Sequence, residues 1–260
     1  MIDWNRTHAA VFRRSMQRLK PIDRIEPVNL DDLINIDRQK AALVENTENF
    51  LEGRCANNVL LWGSRGTGKS SLIKALLHAY ADRGLRVVEF YKEDLQYLPE
   101  TVDDLRSEPY RFLLFLDDLT FGETDLAYTY LKSAMEGSIE SAPENVRVYA
   151  TSNRRHLVPE YMSDNAGTTV RDGELHYGDT VEEKISLADR FGLWLSFYQG
   201  TQDDYLQMVE YYFKDVETDR DALMAEAKRF SAERASRSGR TAKQFYLHYM
   251  QRIGGTASDV

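Results

Sequence analysis

Apolar residues along this chain fall into short unbroken blocks separated by longer stretches where they recur every three or four positions. That rhythm predicts strands alternating with helices. The blocks Val59-Leu60-Leu61-Trp62, Arg86-Val87-Val88-Glu89-Phe90-Tyr91, Phe112-Leu113-Leu114-Phe115-Leu116, residues 145–151 and residues 193–198 read as strands. A run such as 112–116, apolar without alternation, belongs to a strand covered on both faces, as in a parallel sheet. Helical spacing appears over 3–20, where Val11, Phe12, Met16 and Leu19 lie among arginines before Pro21. It recurs after Asp37, a capping residue ahead of Ala41, Ala42, Val44, Phe50 and Leu51, and again over 71–83 up to a stop at Gly84. Residues 125–137 and 181–190 are further helices. Residues 164–179, rich in Gly, Asp, Asn and Thr, predict a mobile surface loop without an element of its own. From about residue 201 the strands stop, and helical patterns over 202–214, 219–236 and 241–252 predict a small helical lid. The expected organisation is an N-terminal helical extension (1–28), an α/β domain (29–200) and the lid (201–260).

Between the first apolar block and its helix stands Gly63-Ser64-Arg65-Gly66-Thr67-Gly68-Lys69-Ser70, followed by Ser71. Glycines at these spacings permit positive φ, so successive N–H groups turn inward at a helix N-terminus and form an anion nest, the P-loop arrangement. Lys69 would reach the β- and γ-phosphates of a nucleotide, and the Ser70 hydroxyl would ligate the Mg²⁺ bridging them. The fold class is therefore an α/β P-loop NTPase with a central parallel sheet.

The third block ends in Asp117-Asp118, two carboxylates at the sheet edge where such folds bind ligands. Downstream of a phosphate loop this reads as Asp117 in the Mg²⁺ shell and Asp118 orienting or deprotonating an attacking water. The next strand ends in Ser152-Asn153, so Asn153 either bonds a γ-phosphate and water or merely turns the chain. Arg190 falls at a helix end just before a strand. Arg240 falls in the first turn of the last helix, where the positive end of the macrodipole makes an arginine unfavourable unless an anion such as phosphate lies nearby.

With 260 residues, 42% of them hydrophobic, the chain can bury one substantial core and a small second one. A net charge of −9 argues against general affinity for nucleic acid or anionic membranes. The basic run Lys228, Arg229, Arg234, Arg237, Arg240 and Lys243, with Phe230 and Phe245 interleaved, is either a solvated lid face or a nucleic-acid contact. A single Cys55 excludes an internal disulfide, and its place beside a strand reads as a small buried thiol. The five histidines lack ligand spacing, and no stretch is long enough to span a bilayer, so a cytoplasmic protein is expected.

Taken in order, Asn58-Val59-Leu60-Leu61-Trp62-Gly63 through Lys69, Asp117-Asp118-Leu119-Thr120-Phe121, Tyr149-Ala150-Thr151-Ser152-Asn153-Arg154-Arg155-His156-Leu157 and Ser186-Leu187-Ala188-Asp189-Arg190-Phe191-Gly192 resemble an AAA+ ATPase. The likeness runs over about 29–252, and within AAA+ it points to a bacterial family known only as ATP-binding proteins with a domain of unknown function. It implies Walker A roles for Lys69 and Ser70, Walker B roles for Asp117 and Asp118, sensor 1 for Asn153, sensor 2 for Arg240 and an arginine finger at Arg190. Such a finger acts on ATP held by a neighbouring subunit, so a homo-oligomer is implied; Arg154 and Arg155 are rival fingers. The implied activity is Mg²⁺-dependent ATP binding and hydrolysis coupled to remodelling or loading of a protein or nucleic-acid client. The alternatives are a slow nucleotide switch or loader and, more distantly, a P-loop phosphotransferase.

The chain departs from the family pattern in three places. Asp118 stands where many members carry Glu, which would leave the water less well held and turnover slow. Asn35 stands where the adenine-side segment usually has Gly, beside Ile36 as the adenine contact. Residues 91–109 contain Tyr97-Leu98-Pro99 but no aromatic-apolar-Gly pore-loop triplet, which counts against a polypeptide-threading unfoldase.

Overall fold

The computed structural model describes residues 2–122, 125, 127–137, 141–154, 157, 169–171, 174–176, 187 and 189–254. Its first elements are strands β1 (Ala9–Arg13) and β2 (Arg18–Pro21), then helix α1 (Asp37–Leu51), β3 (Val59–Gly63), α2 (Lys69–Tyr80), β4 (Leu85–Phe90), α3 (Leu98–Arg106) and β5 (Arg111–Leu116). There follow α4 (Ala127–Glu136), β6 (Val146–Ser152), β7 (Thr169–Arg171), β8 (Glu174–His176) and β9 (Leu193–Phe197). The chain continues through α5 (Gln202–Tyr212), α6 (Arg220–Glu233) and α7 (Gly239–Arg252).

Seven strands form one sheet in the order β2-β1-β4-β5-β6-β3-β9, parallel throughout except for the β1–β2 pair. Pleating explains the unbroken apolar run in β5. Phe112, Leu114 and Leu116 face the layer holding α3 and α4, while Leu113 and Phe115 face α1 and α2. Each of these residues leaves water on folding, at about 1.5–3 kcal/mol apiece. Helices α5–α7 close over their own cluster of Tyr205, Val209, Phe213, Leu223, Phe230 and Phe245.

The helix expected over 3–20 does not form; this segment is the β1–β2 hairpin. Ala9 to Phe12 are all buried, β1 pairs with the otherwise open edge of β4, and Phe12 stacks on Phe90 at 5.1 Å and Tyr97 at 5.0 Å. Pairing with a free strand edge outweighs a spacing that fits a helix, and Gln17 at φ +46° turns the chain. Met16, expected on the apolar face, lies outside at 44% exposure. Asp37 opens α1 rather than capping it; the cap is Ile36, and the carboxylate lies in the first turn where the dipole favours it. Cys55 is exposed, not buried, because it sits in the turn ahead of β3. Within 164–179, β7 and β8 pair as a short antiparallel hairpin, so that stretch does carry an element. The rest of 164–179 lies outside the described residues, as does the helix expected over 181–190 apart from Leu187, Asp189 and Arg190. Among the described residues no helix is long and apolar enough to cross a membrane.

Residues 22–36 run as a strap between the sheet layer and the helical lid. Glu26 accepts from Lys74 of α2 at 2.8 Å and from Lys243 of α7 at 3.3 Å. Farther along, Asp32 accepts from the Tyr211 hydroxyl of α5, and the Asn35 side chain donates to the Asp204 carbonyl at 3.1 Å. The Asp32 bond holds the Tyr211 proton in place, pushing that phenol up to about 12.

Lys74 first, and Lys243 after it, hold the Glu26 carboxyl below its ordinary 4.5. A carboxyl with a depressed folded-state pKa adds stability that is complete above the unfolded value and disappears as pH falls through the folded one. Glu26→Gln should therefore lower stability at neutral pH by up to about 1 kcal/mol, the ceiling for exposed pairs. The gap from the parent should close as pH drops below 4.5, which urea titrations at several pH values would read. A gap independent of pH would contradict the assignment.

Candidate functional site

Strand β3 delivers its last residue to the C-terminal rim of the sheet between β6 and β9, where the connections diverge to opposite sides. Gly63 turns there at φ +131°, and a Cβ on it would sit 1.9 Å from the Phe197 carbonyl oxygen of β9. Only glycine permits so close an approach. Gly66 and Gly68 also have positive φ, +75° and +93°, and Gly68 caps α2. The first-turn N–H groups of Lys69, Ser70 and Ser71 have no partner inside the helix and present a positive terminus. Ser64 differs from the expectation of a full cradle. Its N–H donates to the Phe197 carbonyl at 2.9 Å, so it anchors the loop rather than lining the nest. Thr67 closes the loop by donating to the Ser64 carbonyl at 2.8 Å.

Lys69 is buried, and its ammonium donates to the carbonyls of Gly63 at 2.9 Å and Ser64 at 2.7 Å and to Asn153 Oδ1 at 3.4 Å. Burial lowers its pKa, the charges of Asp117 and Asp118 oppose that, and Arg65 and Arg240 reinforce it. Beside it the Ser70 hydroxyl donates to Asp117 Oδ1 at 2.6 Å, and the Asn153 amide donates to Asp118 Oδ1. Arg65 lies 3.9 Å from Asp118, a loose and exposed pair. Burial, and after it the charge of Asp117, raises the pKa of Glu89 on β4.

The lid rests on this loop. A Cβ on Gly66 would meet Ser238 Oγ at 2.8 Å and Arg240 Cβ at 3.3 Å, so α7 begins over the phosphate loop with Arg240 in its first turn. Ile36 borders the loop from the other side, 3.7 Å from where a Gly68 Cβ would be. Asn35 takes φ +63°, the left-handed region that glycine favours and asparagine tolerates better than most residues. That accounts for Asn at a position where the resembled family has Gly.

Lys69, Ser70, Asp117, Asp118, Asn153, Arg65, Arg240 and Ile36 thus come together around one loop. Arg190 does not join them. It precedes β9, whose parallel register runs from Val59↔Leu193 to Gly63↔Phe197, so it lies at the opposite rim, beyond a strand about 13 Å long. There it pairs with Glu136 of α4 at 2.6 Å. Arg154 is exposed beside Asn153, and Arg155 lies outside the described residues. Sequence reasoning missed Thr151, whose hydroxyl donates to Asp117 Oδ1 at 2.6 Å and accepts the Asp118 N–H at 2.9 Å. It also missed Ser238, the α7 cap that touches the loop.

The residues fit Mg²⁺. A hydroxyl and a carboxylate 2.6 Å apart are hard oxygen donors, and Mg²⁺ takes only one or two protein oxygens when phosphates and water complete its shell. Among the described residues no group of three or more His, Cys, Asp or Glu side chains is placed to hold a metal ion by itself.

Comparison with protein families matches residues 5–253 to the family described as "Protein of unknown function (DUF815)". The chain belongs to that family. A search of curated proteins finds no match. Among solved structures, the Thermotoga maritima RuvB Holliday junction branch migration motor is similar at 16% identity and TM-score 0.46, covering 87% of this chain and 72% of its own. A point mutant of Thermotoga maritima RuvB gives TM-score 0.52 at 16% identity, covering 88% of this DUF815 chain and 68% of its own. The latter is a likeness of fold, and the fold is that of an AAA+-type P-loop domain.

The left-handed Asn35 yields a test. Asn35→Val should destabilise the chain by about 2 kcal/mol more than Asn35→Gly, because a β-branched residue pays the full steric cost at positive φ. Chemical denaturation would measure it, and equal losses would place the whole effect in the lost Asp204 contact.

Proposed function

We propose that this DUF815 protein binds ATP·Mg²⁺ at the junction of sheet and lid and hydrolyses it. One observation carries the reading: Lys69, Asn153 and Asp118 form one hydrogen-bonded chain and Ser70 and Asp117 another, the two joined through Thr151, at the mouth of an anion nest with Arg240 laid over it. The nest and Lys69 hold the phosphates, and Ile36 borders the adenine side. Mg²⁺, held by Ser70 and Asp117, would supply charge neutralisation across the β- and γ-phosphates.

Asp118 and Asn153 orient a water for in-line attack. Its oxygen bonds the γ-phosphorus as the bond to the β–γ bridging oxygen breaks; the water proton passes to Asp118 or a phosphate oxygen, and ADP and phosphate leave. Arg240, placed in a helix start that repels it and with no carboxylate partner among the described residues, gains an anionic one. Arg190 stands too far from its own chain's loop to serve it, which favours action on ATP held by a second copy and hence a homo-oligomer. A lid that contacts the phosphate loop directly gives nucleotide state a route to movement, and that movement would remodel or load a protein or nucleic-acid client.

A specific observation also favours a slow, switch-like variant of this reading. The short Asp118 side chain is already engaged by Asn153 and approached by Arg65, so it is restrained from reaching water.

Lys69→Ala should abolish ATP binding in a calorimetric titration, whereas Arg190→Ala should bind normally and lose about 10³-fold or more in turnover. Equal loss of binding in both would refute this division of labour. Specific activity should rise with protein concentration through the assembly range, and a flat profile would remove the trans finger. Release of labelled γ-phosphate as free phosphate, rather than its transfer to an acceptor, separates the ATPase from a kinase.

A further inference from the structure

Asp117 and Asp118 are consecutive, and successive side chains on an extended strand point to opposite faces. Both can serve one site only if the chain leaves the strand between them, and it does: Asp118 sits at φ +53°, a conformation that side-chain-bearing residues rarely adopt. Something must hold it there. The group in contact with both residues is Thr151 at the end of β6, which is 2% exposed and therefore shielded from competing water. Its hydroxyl donates its single proton to Asp117 Oδ1 at 2.6 Å and accepts the Asp118 N–H at 2.9 Å, while its carbonyl accepts the Leu119 N–H at 2.7 Å.

We propose that Thr151 is a positioning residue that locks the metal-side and water-side carboxylates into one unit, so that both aim at the same phosphate. The assignment rests on the ATPase reading for its consequence, though not for its geometry. A hydroxyl can donate and accept at once; valine, of the same shape, can do neither, and serine can do both. Loss of the hydroxyl frees the Asp118 amide, lets the turn relax and, among the described residues, leaves Asp117 with Ser70 as its remaining side-chain hydrogen-bond partner. Lys69 and the nest are untouched.

The test compares Thr151→Val, Thr151→Ser and Thr151→Ala with the parent by amide hydrogen exchange at Asp118 and by hydrolysis as a function of Mg²⁺. In Thr151→Val the Asp118 amide should exchange about tenfold faster, the equivalent of one hydrogen bond. Turnover should fall about 10–100-fold and the Mg²⁺ requirement should rise, with ATP affinity within about threefold of the parent. Thr151→Ser should restore all three readings. Should the core reject valine, Thr151→Ala gives the same comparison with a smaller side chain.

An Asp118 amide that exchanges at the parent rate without the hydroxyl, or a serine variant as impaired as valine, would overturn the clamp. If the parent itself hydrolyses no ATP, the ATPase reading fails, while the exchange measurement still decides whether Thr151 holds the turn.

Discussion

The site depends on one steric constraint, the contact between the backbone at Gly63 and the carbonyl of Phe197. Parallel strands in register bring their carboxyl ends to a common rim, but β3 must also turn immediately at that rim so that α2 starts with its N–H groups facing outward. A side chain at residue 63 would push β9 aside, and with it the Ser64 amide bond that pins the loop's first residue. Everything farther along the loop, including the carbonyls that hold Lys69, is located by that anchor.

From the same rim the lid acquires its position. Its three helices bury their own cluster, yet α7 starts against Gly66, and the strap of residues 22–36 ties α2, α5 and α7 together through short polar contacts. Apolar packing gives each body internal rigidity, and between the bodies much of the contact is hydrogen bonds and exposed ion pairs worth about 1 kcal/mol or less. Such a joint holds an orientation and can still change it. The phosphate loop lies against both sides of that joint, since Lys69 opens α2 and Arg240 Cβ lies beside Gly66.

The sheet was legible because its central strands are unbroken apolar blocks, a pattern that parallel burial on two faces imposes directly. The phosphate loop and the carboxylate pair were legible because local chemistry at fixed spacing defines them. The β1–β2 hairpin was not. Val11, Phe12, Met16 and Leu19 fit a helical face as well as a strand, and the deciding factor is the free edge of β4, which is contributed from more than 70 residues away. Thr151 was hidden for a related reason. It reads as the polar end of an apolar strand until the register Leu116↔Ala150 sets it level with Asp117, and register is a property of the assembled sheet. Ser64 shows the converse: its identity matched a cradle residue, but its amide is claimed by a strand remote in sequence. Asn35 held a readable signal, because asparagine is a residue that tolerates the left-handed turn in place of glycine.

Under the proposed function, the separation between Arg190 and the phosphate loop follows from strand direction. Parallel strands put every N-terminal end at one rim and every C-terminal end at the other, so a residue introducing β9 cannot face a ligand held at the end of β3. An arginine there serves a phosphate only across a boundary between chains. Its present partner Glu136 is 47% exposed, whereas the Arg190 side chain is itself only 15% exposed, so the pair meets water on the carboxylate side. Under the same proposal a triphosphate from a second copy would replace that carboxylate with a more highly charged partner, so a buried guanidinium would remain paired after the exchange.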